Sequence, residues 1–163
     1  IKKKAPPPTP PAETWTAAPR LRQAAPGPRS VLVVEDESIL ALAIGEALEQ
    51  AGYALRGIAA TEAEARRLAG REMPDFAVVD LNLGPGNSGL DVGWALAQRG
   101  VTVLYATAYG AGFRQEMEDS GGRACLLKPF PPEDVPAALG VLDRLGQGEA
   151  AGRLPPAFHW LVD

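Results

Sequence analysis

Five residues of this 163-residue chain are of types that could act together: Glu35, Asp36, Asp80, Thr107 and Lys128. Each follows or ends a short apolar run: "SVLVV" before Glu35 and Asp36, "FAVV" before Asp80, "VTVLYA" before Thr107 and "ACLL" before Lys128. Three carboxylates brought close together repel one another, and the usual remedies are a raised pKa or a bound cation. An all-oxygen set without His or Cys favours Mg²⁺, which takes one or two carboxylates along with waters and phosphate oxygens. A lysine facing the acids balances their charge and can hold a phosphoryl oxygen as a point charge, and a threonine hydroxyl can donate to another. Such a set is a phosphoryl-transfer site that works by positioning and electrostatics. With no His, Cys or Ser among the five, the remaining nucleophile is a carboxylate, and Asp80 is the candidate for an aspartyl phosphate. Taken singly, an acid after a strand is most often a turn or cap residue, and only the combination argues otherwise. Lys128 also stands out by position, because the chain's other lysines are Lys2, Lys3 and Lys4.

The elements that would carry these residues alternate regularly. "SVLVVED" reads as a strand buried on both faces. "SILALAIGEALEQAG" puts Leu40, Ile44, Ala47, Leu48 and Ala51 on one helical face, with Ser38 as the expected N-cap and Gly52 beyond the end. "YALRGIA" is a second strand, and "TEAEARRLAG" a helix that Thr61 and Glu64 open as a capping box. "DFAVVDLNL" and "GLDVGWALAQRG" form the third pair, and "VTVLYAT" is a fourth strand before a weak polar helix within residues 111–120. "ACLLK" is the fifth strand; in the helix after it, Val135, Ala138, Leu139, Leu142 and Leu145 share a face, with Pro136 in the first turn. Five such units make an open parallel α/β sheet, in which chemistry sits outside the carboxyl ends of the strands, where all five residues fall.

Composition sets the outer limits. The net charge is −4, but residues 1–29 carry +5 and the rest therefore −9, which argues against nucleic-acid binding by the body of the chain. Those first 29 residues hold eight of the 16 prolines and read as an extended basic tail or interdomain linker; residues 30–146 are the folded domain, and 147–163 a C-terminal tail. There is no apolar run long enough to insert in a membrane and no signal-peptide pattern, so the expected location is the cytoplasm. The lone Cys125 excludes an internal disulfide or a multi-thiolate metal site and reads as a small core residue. The terminal "FHWLV" is too apolar for water: it packs on this domain, contacts a partner or begins a further domain. His159 within it lacks the surrounding helix that a phosphotransfer histidine needs, and Trp94 reads as core or its edge.

In order and spacing, "VLVVEDES", "FAVVDLNLGPGNSGL", "YATAY" and "LLKPF" resemble the receiver domain of two-component response regulators, from about Ser30 to Gly146. The resemblance implies a flavodoxin-like (CheY-like) α/β fold with five parallel strands in the order 2-1-3-4-5 and helices on both faces. It implies that Asp80 accepts a phosphoryl group from the phosphohistidine of a histidine kinase or of its phosphotransfer domain. Asp36 and Asp80 would ligate Mg²⁺ directly together with the carbonyl of Asn82, Glu35 would act through water, and Thr107 and Lys128 would hold phosphoryl oxygens. The bond from Lys128 to Pro129 would be cis, as is usual in that family.

The chain also departs from the family pattern. Receivers usually have Tyr or Phe three residues before the lysine, and Cys125 stands there. "YATAYG" is similar to the Phe-Ala-Thr-Gly-x-Tyr signature of a receiver subfamily that lacks this aromatic and works with kinases of the HWE type, although Ala108 replaces its glycine and Tyr109 comes one place early. That subfamily has a short fourth helix, which the polar stretch from Gly110 to Gly122 fits. The glycine-rich loop after Asp80 is expected to be mobile. Since 17 residues follow Gly146, the expectation is a stand-alone receiver or the C-terminal receiver of a hybrid kinase, and the start at Ile1 favours a fragment. Two other readings are a receiver that is never phosphorylated and acts as an interaction module, and an enzyme that turns over an aspartyl phosphate. Asn82 argues against the enzyme, because it stands where a proton-donating acid would be needed. Partner kinase, signal and oligomeric state are left open by the sequence.

Overall fold

The computed structural model describes residues 27–162, so most of the proline-rich front lies outside the described residues. Strand β1 (Ser30–Val34) is buried along its whole length, as are β3 (Phe76–Asp80) and all but the first residue of β4 (Thr102–Thr107). Their apolar runs are continuous rather than alternating because helices cover both faces of the sheet. Strand β2 (Ala54–Ala59), at one edge, is only half-buried, and its register against β1 shifts between Val31 and Leu32, next to Gly57 at φ +142°. Strand β5 (Ala124–Leu127) follows β4, and the parallel order is β2-β1-β3-β4-β5.

One face packs against helix α1 (Ser38–Gln50) and helix α5 (Asp134–Gly146), through Ile44, Leu48, Val135, Ala138 and Leu139. The other face packs against α2 (Glu62–Arg71), α3 (Gly89–Gln98) and the short α4 (Arg114–Asp119), through Ala65, Val92, Leu96 and Met117. Burying one Ile or Leu side chain stabilises by about 1.5–3 kcal/mol, so Ile44 and Leu48 largely account for the docking of α1. Helix α2 is capped by Thr61 as its sequence predicts, Thr61 Oγ1 accepting from the Glu64 N–H at 3.2 Å, while the Glu64 carboxylate accepts at 2.8 Å from the N–H of Ala60, one residue before the cap.

Several expectations need correction. Ser38 is the first helical residue of α1, and Glu37 stands at the cap without a side-chain bond; its own N–H donates to Glu35 Oε1 at 3.2 Å, so the acidic turn closes on itself. Ala51 and Leu145 lie outside their buried faces, Leu145 being 39 % exposed. Among the described residues a sixth, antiparallel strand is added to the five expected parallel ones. Residues Phe158–Trp160, within the expected tail, form β6, antiparallel to β5 with Leu126 opposite Phe158 and Ala124 opposite Trp160. The terminal apolar cluster therefore packs on this domain, with Phe158 and Leu161 buried and the Phe158 and Trp160 rings edge-to-face at 4.7 Å.

Candidate functional site

All the parallel strands end at the same rim, and the five residues meet there. Glu35 and Asp36 follow β1, Asp80 and Thr107 end β3 and β4, and Lys128 follows β5. Glu35, Asp36 and Asp80 each offer a carboxylate oxygen, all within 4.8 Å of one another. Asp36 is exposed, whereas Glu35 is 3 % and Asp80 6 % exposed. Lys128 reaches across with Nζ 2.9 Å from Glu35 Oε2 and 3.0 Å from Asp80 Oδ2, so one ammonium donates to both buried acids.

These placements decide the protonation chemistry. Burial raises the Glu35 carboxyl to about 7, a rise that the Asp80 charge supports and the hydrogen bond from Lys128 opposes. For Lys128 burial works against the charged form, but the hydrogen bonds to Glu35 and Asp80 outweigh it and raise the ammonium above its ordinary value. The site therefore keeps its cation and holds its more deeply buried acid near the titration point at neutral pH. The donor set is all oxygen, open to solvent at Asp36, and without His or Cys, which suits a hard divalent cation.

The surrounding loops hold these side chains in place. Thr107 is fully buried; its Oγ1 accepts from the Tyr109 N–H at 3.0 Å, and its carbonyl from the Lys128 N–H at 2.9 Å, joining the ends of β4 and β5. The Lys128–Pro129 peptide is cis. The Asn82 N–H donates to Asp80 Oδ1 at 3.1 Å, and the Asn82 side chain is exposed. In the glycine-rich loop after Asp80, Leu83 is buried, Asn82 Oδ1 accepts from the Gly84 N–H, and Asn87 Oδ1 accepts from the N–H of Glu62 at the start of α2. Gly89 at the start of α3 is required sterically, because a Cβ there would collide with the Asp80 carbonyl oxygen.

Tyr105 and Ser120 were not singled out from sequence, whereas Cys125 was. Cys125 is 3 % exposed and lies on β5 directly beside Tyr105 of β4, so an aromatic ring is present one strand away from the expected position. Tyr105 is fully buried, its hydroxyl 2.6 Å from Ser120 Oγ, and Ser120 donates to the Met117 carbonyl at 2.7 Å. Burial raises the Tyr105 phenol well above its ordinary pKa and the Cys125 thiol above its own, so both stay neutral. The available signal was a pair of glycines, Gly93 and Gly122, both abutting the Tyr105 ring. His159 is exposed on β6, away from the rim, and Trp94 is half-buried against the core on α3. Among the described residues, no helix is long and apolar enough to cross a membrane.

Comparison with known proteins agrees with this geometry. Residues 31–140 match the family described as response regulator receiver domain. The chain is 31 % identical over 114 residues to the transcriptional regulatory protein PdtaR of Mycobacterium tuberculosis, covering 69 % of this chain and 55 % of the relative. It is 32 % identical over 111 residues to the phyllosphere-induced regulator PhyR of Methylorubrum extorquens, covering 67 % and 41 %. It thus spans about half the length of these relatives. A response regulator from Burkholderia pseudomallei, solved with a phosphorylated aspartic acid, calcium ion and citrate, superposes with a TM-score of 0.64 at 31 % identity, covering 74 % of this chain and 71 % of that one. Given the CheY-like sheet, the acidic rim and the match over residues 31–140, the chain belongs to the response regulator receiver family of two-component systems.

Proposed function

We propose that this receiver takes a phosphoryl group onto Asp80 from the phosphohistidine of a histidine kinase or its phosphotransfer domain. The observation that carries this reading is the single ammonium of Lys128 shared between Glu35 and Asp80 beside the exposed Asp36. A carboxylate oxygen of Asp80 attacks phosphorus, the bond to the donor imidazole nitrogen breaks, and that nitrogen keeps the electron pair. Lys128 then follows the new negative charge, exchanging Asp80 Oδ2 for a phosphoryl oxygen, and the Thr107 hydroxyl donates to a second. Asp36 and Asp80 with the Asn82 carbonyl, and Glu35 through water, would hold Mg²⁺, which offsets the charge of the incoming phosphoryl oxygens.

The output of this reading is a changed protein contact, consistent with the −9 charge outside residues 1–29. Residues 1–29 serve as a basic tail or interdomain linker, the protein acts in the cytoplasm, and the kinase is of the HWE type. Cys125 in place of the switch aromatic and a fourth helix of only six residues support this last assignment.

The test is intact-protein mass after acetyl phosphate and Mg²⁺, beside Asp80→Ala. The expected result is a gain of one phosphoryl group, absent in the variant and without Mg²⁺. No gain on the unaltered chain would favour an interaction module that is never phosphorylated.

A further inference from the structure

Strand β5 would be the open edge of the parallel sheet if β6 were not laid along it. The pairing runs beyond β6 itself: the Leu127 N–H donates to the Ala157 carbonyl at 3.0 Å, and the Leu161 N–H to the Arg123 carbonyl at 3.2 Å. Alternate side chains of the segment enter opposite cores, Phe158 joining the cluster under α1 and α5 and Leu161 the cluster under α2 and α3. The connection from α5 is fastened by Arg144, whose Nη2 and Nε donate to the Ala151 carbonyl at 2.7 and 3.2 Å. Between α5 and β6 the chain is irregular and has two glycines of positive φ, Gly148 and Gly152. The strand has three residues, pairs with β5 alone among the described strands and is joined through an irregular connection, so it can leave without unpairing the parallel sheet, at the cost of exposing Phe158 and Leu161.

Its place along β5 links it to the rim. The amide that Ala157 receives belongs to Leu127, and the next residue is Lys128, whose own amide is held by the Thr107 carbonyl and whose ammonium holds Glu35 and Asp80. From this we infer that residues 157–161 form a displaceable strap over the β5 edge, and that its occupancy is coupled through Leu127 and Lys128 to the charge on Asp80. In the resting chain, Lys128 is drawn toward two carboxylates and the strap stays in register. Resting on the phosphoryl-acceptor reading above, a phosphoryl group on Asp80 redirects the ammonium, moves the end of β5 and releases the strap. Release uncovers a strand edge flanked by two apolar sockets, those vacated by Phe158 and Leu161, which is a surface that takes an extended apolar segment. Coupling of this kind is reciprocal, so holding the strap down must weaken the response at Asp80.

His159 offers a lock, since it is exposed and stands opposite Cys125 in the antiparallel register. Directly opposed residues of such a pair lie about 4.5–5.5 Å apart at Cα, within the range that a disulfide spans. The experiment uses the full chain carrying His159→Cys, oxidised or reduced, beside the unaltered protein. Beryllofluoride with Mg²⁺ or acetyl phosphate loads the site, with intact mass for phosphoryl occupancy and hydrogen exchange for the amides of residues 123–128 and 157–162. The expected result is about tenfold faster exchange of residues 157–162 on loading. Oxidation should abolish it and weaken beryllofluoride binding about fivefold or more, and reduction should restore both. Mass gain with unchanged exchange in residues 157–162, or equal beryllofluoride affinity in the oxidised and reduced variant, would overturn the strap while leaving phosphoryl acceptance intact. No mass gain on the unaltered chain would overturn both.

Discussion

Lys128 Nζ lies 3.0 Å from Asp80 Oδ2, and the same ammonium lies 2.9 Å from Glu35 Oε2. The lysine is 20 % exposed at its side chain, against 2 % for Glu35 and 8 % for Asp80, so it is the solvent-facing cover of two buried acids. It serves both to neutralise the acids now present and to meet a negative group arriving at Asp80.

Removing the ammonium separates these two functions. Lys128→Ala leaves two buried carboxylates uncompensated, and the folded state at pH 8 should lose about 1–3 kcal/mol, less than for a fully buried pair because the lysine is partly wet. At pH 5.5, where Glu35 is mostly protonated, the loss should shrink. Phosphoryl acceptance from acetyl phosphate, followed by intact mass, should slow about 10²-fold at either pH. An equal rate in Lys128→Ala would show that the lysine serves stability alone.

The raised pKa of Glu35 has a definite sign for stability. Its carboxyl goes from an ordinary 4.5 to about 7 on folding, so the folded state binds that proton more tightly than the unfolded chain. Stability therefore falls as the pH rises from about 4.5 to about 7 and is level above, at up to ~1.4 kcal/mol per pH unit and about 1–3 kcal/mol in all. Urea midpoints in EDTA should fall between pH 5 and pH 8 for the unaltered protein and stay flat over that interval for Glu35→Gln. Mg²⁺ at pH 8 should restore the unaltered protein by adding charge of the opposite sign. A midpoint independent of pH in both proteins would contradict the raised carboxyl.

The legibility of this chain followed the periodicity of its elements. Uninterrupted runs such as "SVLVV" and "FAVV" have few alternatives to a strand covered on both faces, and acids at their ends necessarily fall on one rim. The capping box of Thr61 and Glu64 was readable for the same reason, since all its partners lie within four residues. What sequence could not supply was lateral. The pairing of Phe158–Trp160 with β5 depends on a connection of irregular chain that carries no period, and three residues are too few for one of their own. Cys125 read as the loss of an aromatic because its neighbour Tyr105 lies on another strand, 20 positions earlier in the chain and beside it only in the sheet. Ser38 was the better cap by residue type, but Glu37 holds the position because the turn is organised by the Glu35 carboxylate.

The Tyr105 packing yields the most direct test of that lateral structure. An ideal Cβ on Gly93 would collide with the Tyr105 hydroxyl and lie 2.6 Å from Cζ, so Gly93→Ala must displace either α3 or the ring. In a helix interior Gly to Ala otherwise favours folding by about 1 kcal/mol. A net loss of about 1–3 kcal/mol in Gly93→Ala would therefore isolate the clash. Tyr105→Phe should cost about 1 kcal/mol, because it removes one hydrogen bond while Ser120 keeps its own to Met117. Tyr105→Leu should lose more, through the space left in the core, but combined with Gly93→Ala it should cost less than the two single losses together, since the added methyl then enters part of that space. Urea unfolding of the four variants measures the coupling. Strict additivity would mean that the helix moves aside freely, and that Tyr105 does not link α3 to the end of α4 through Ser120.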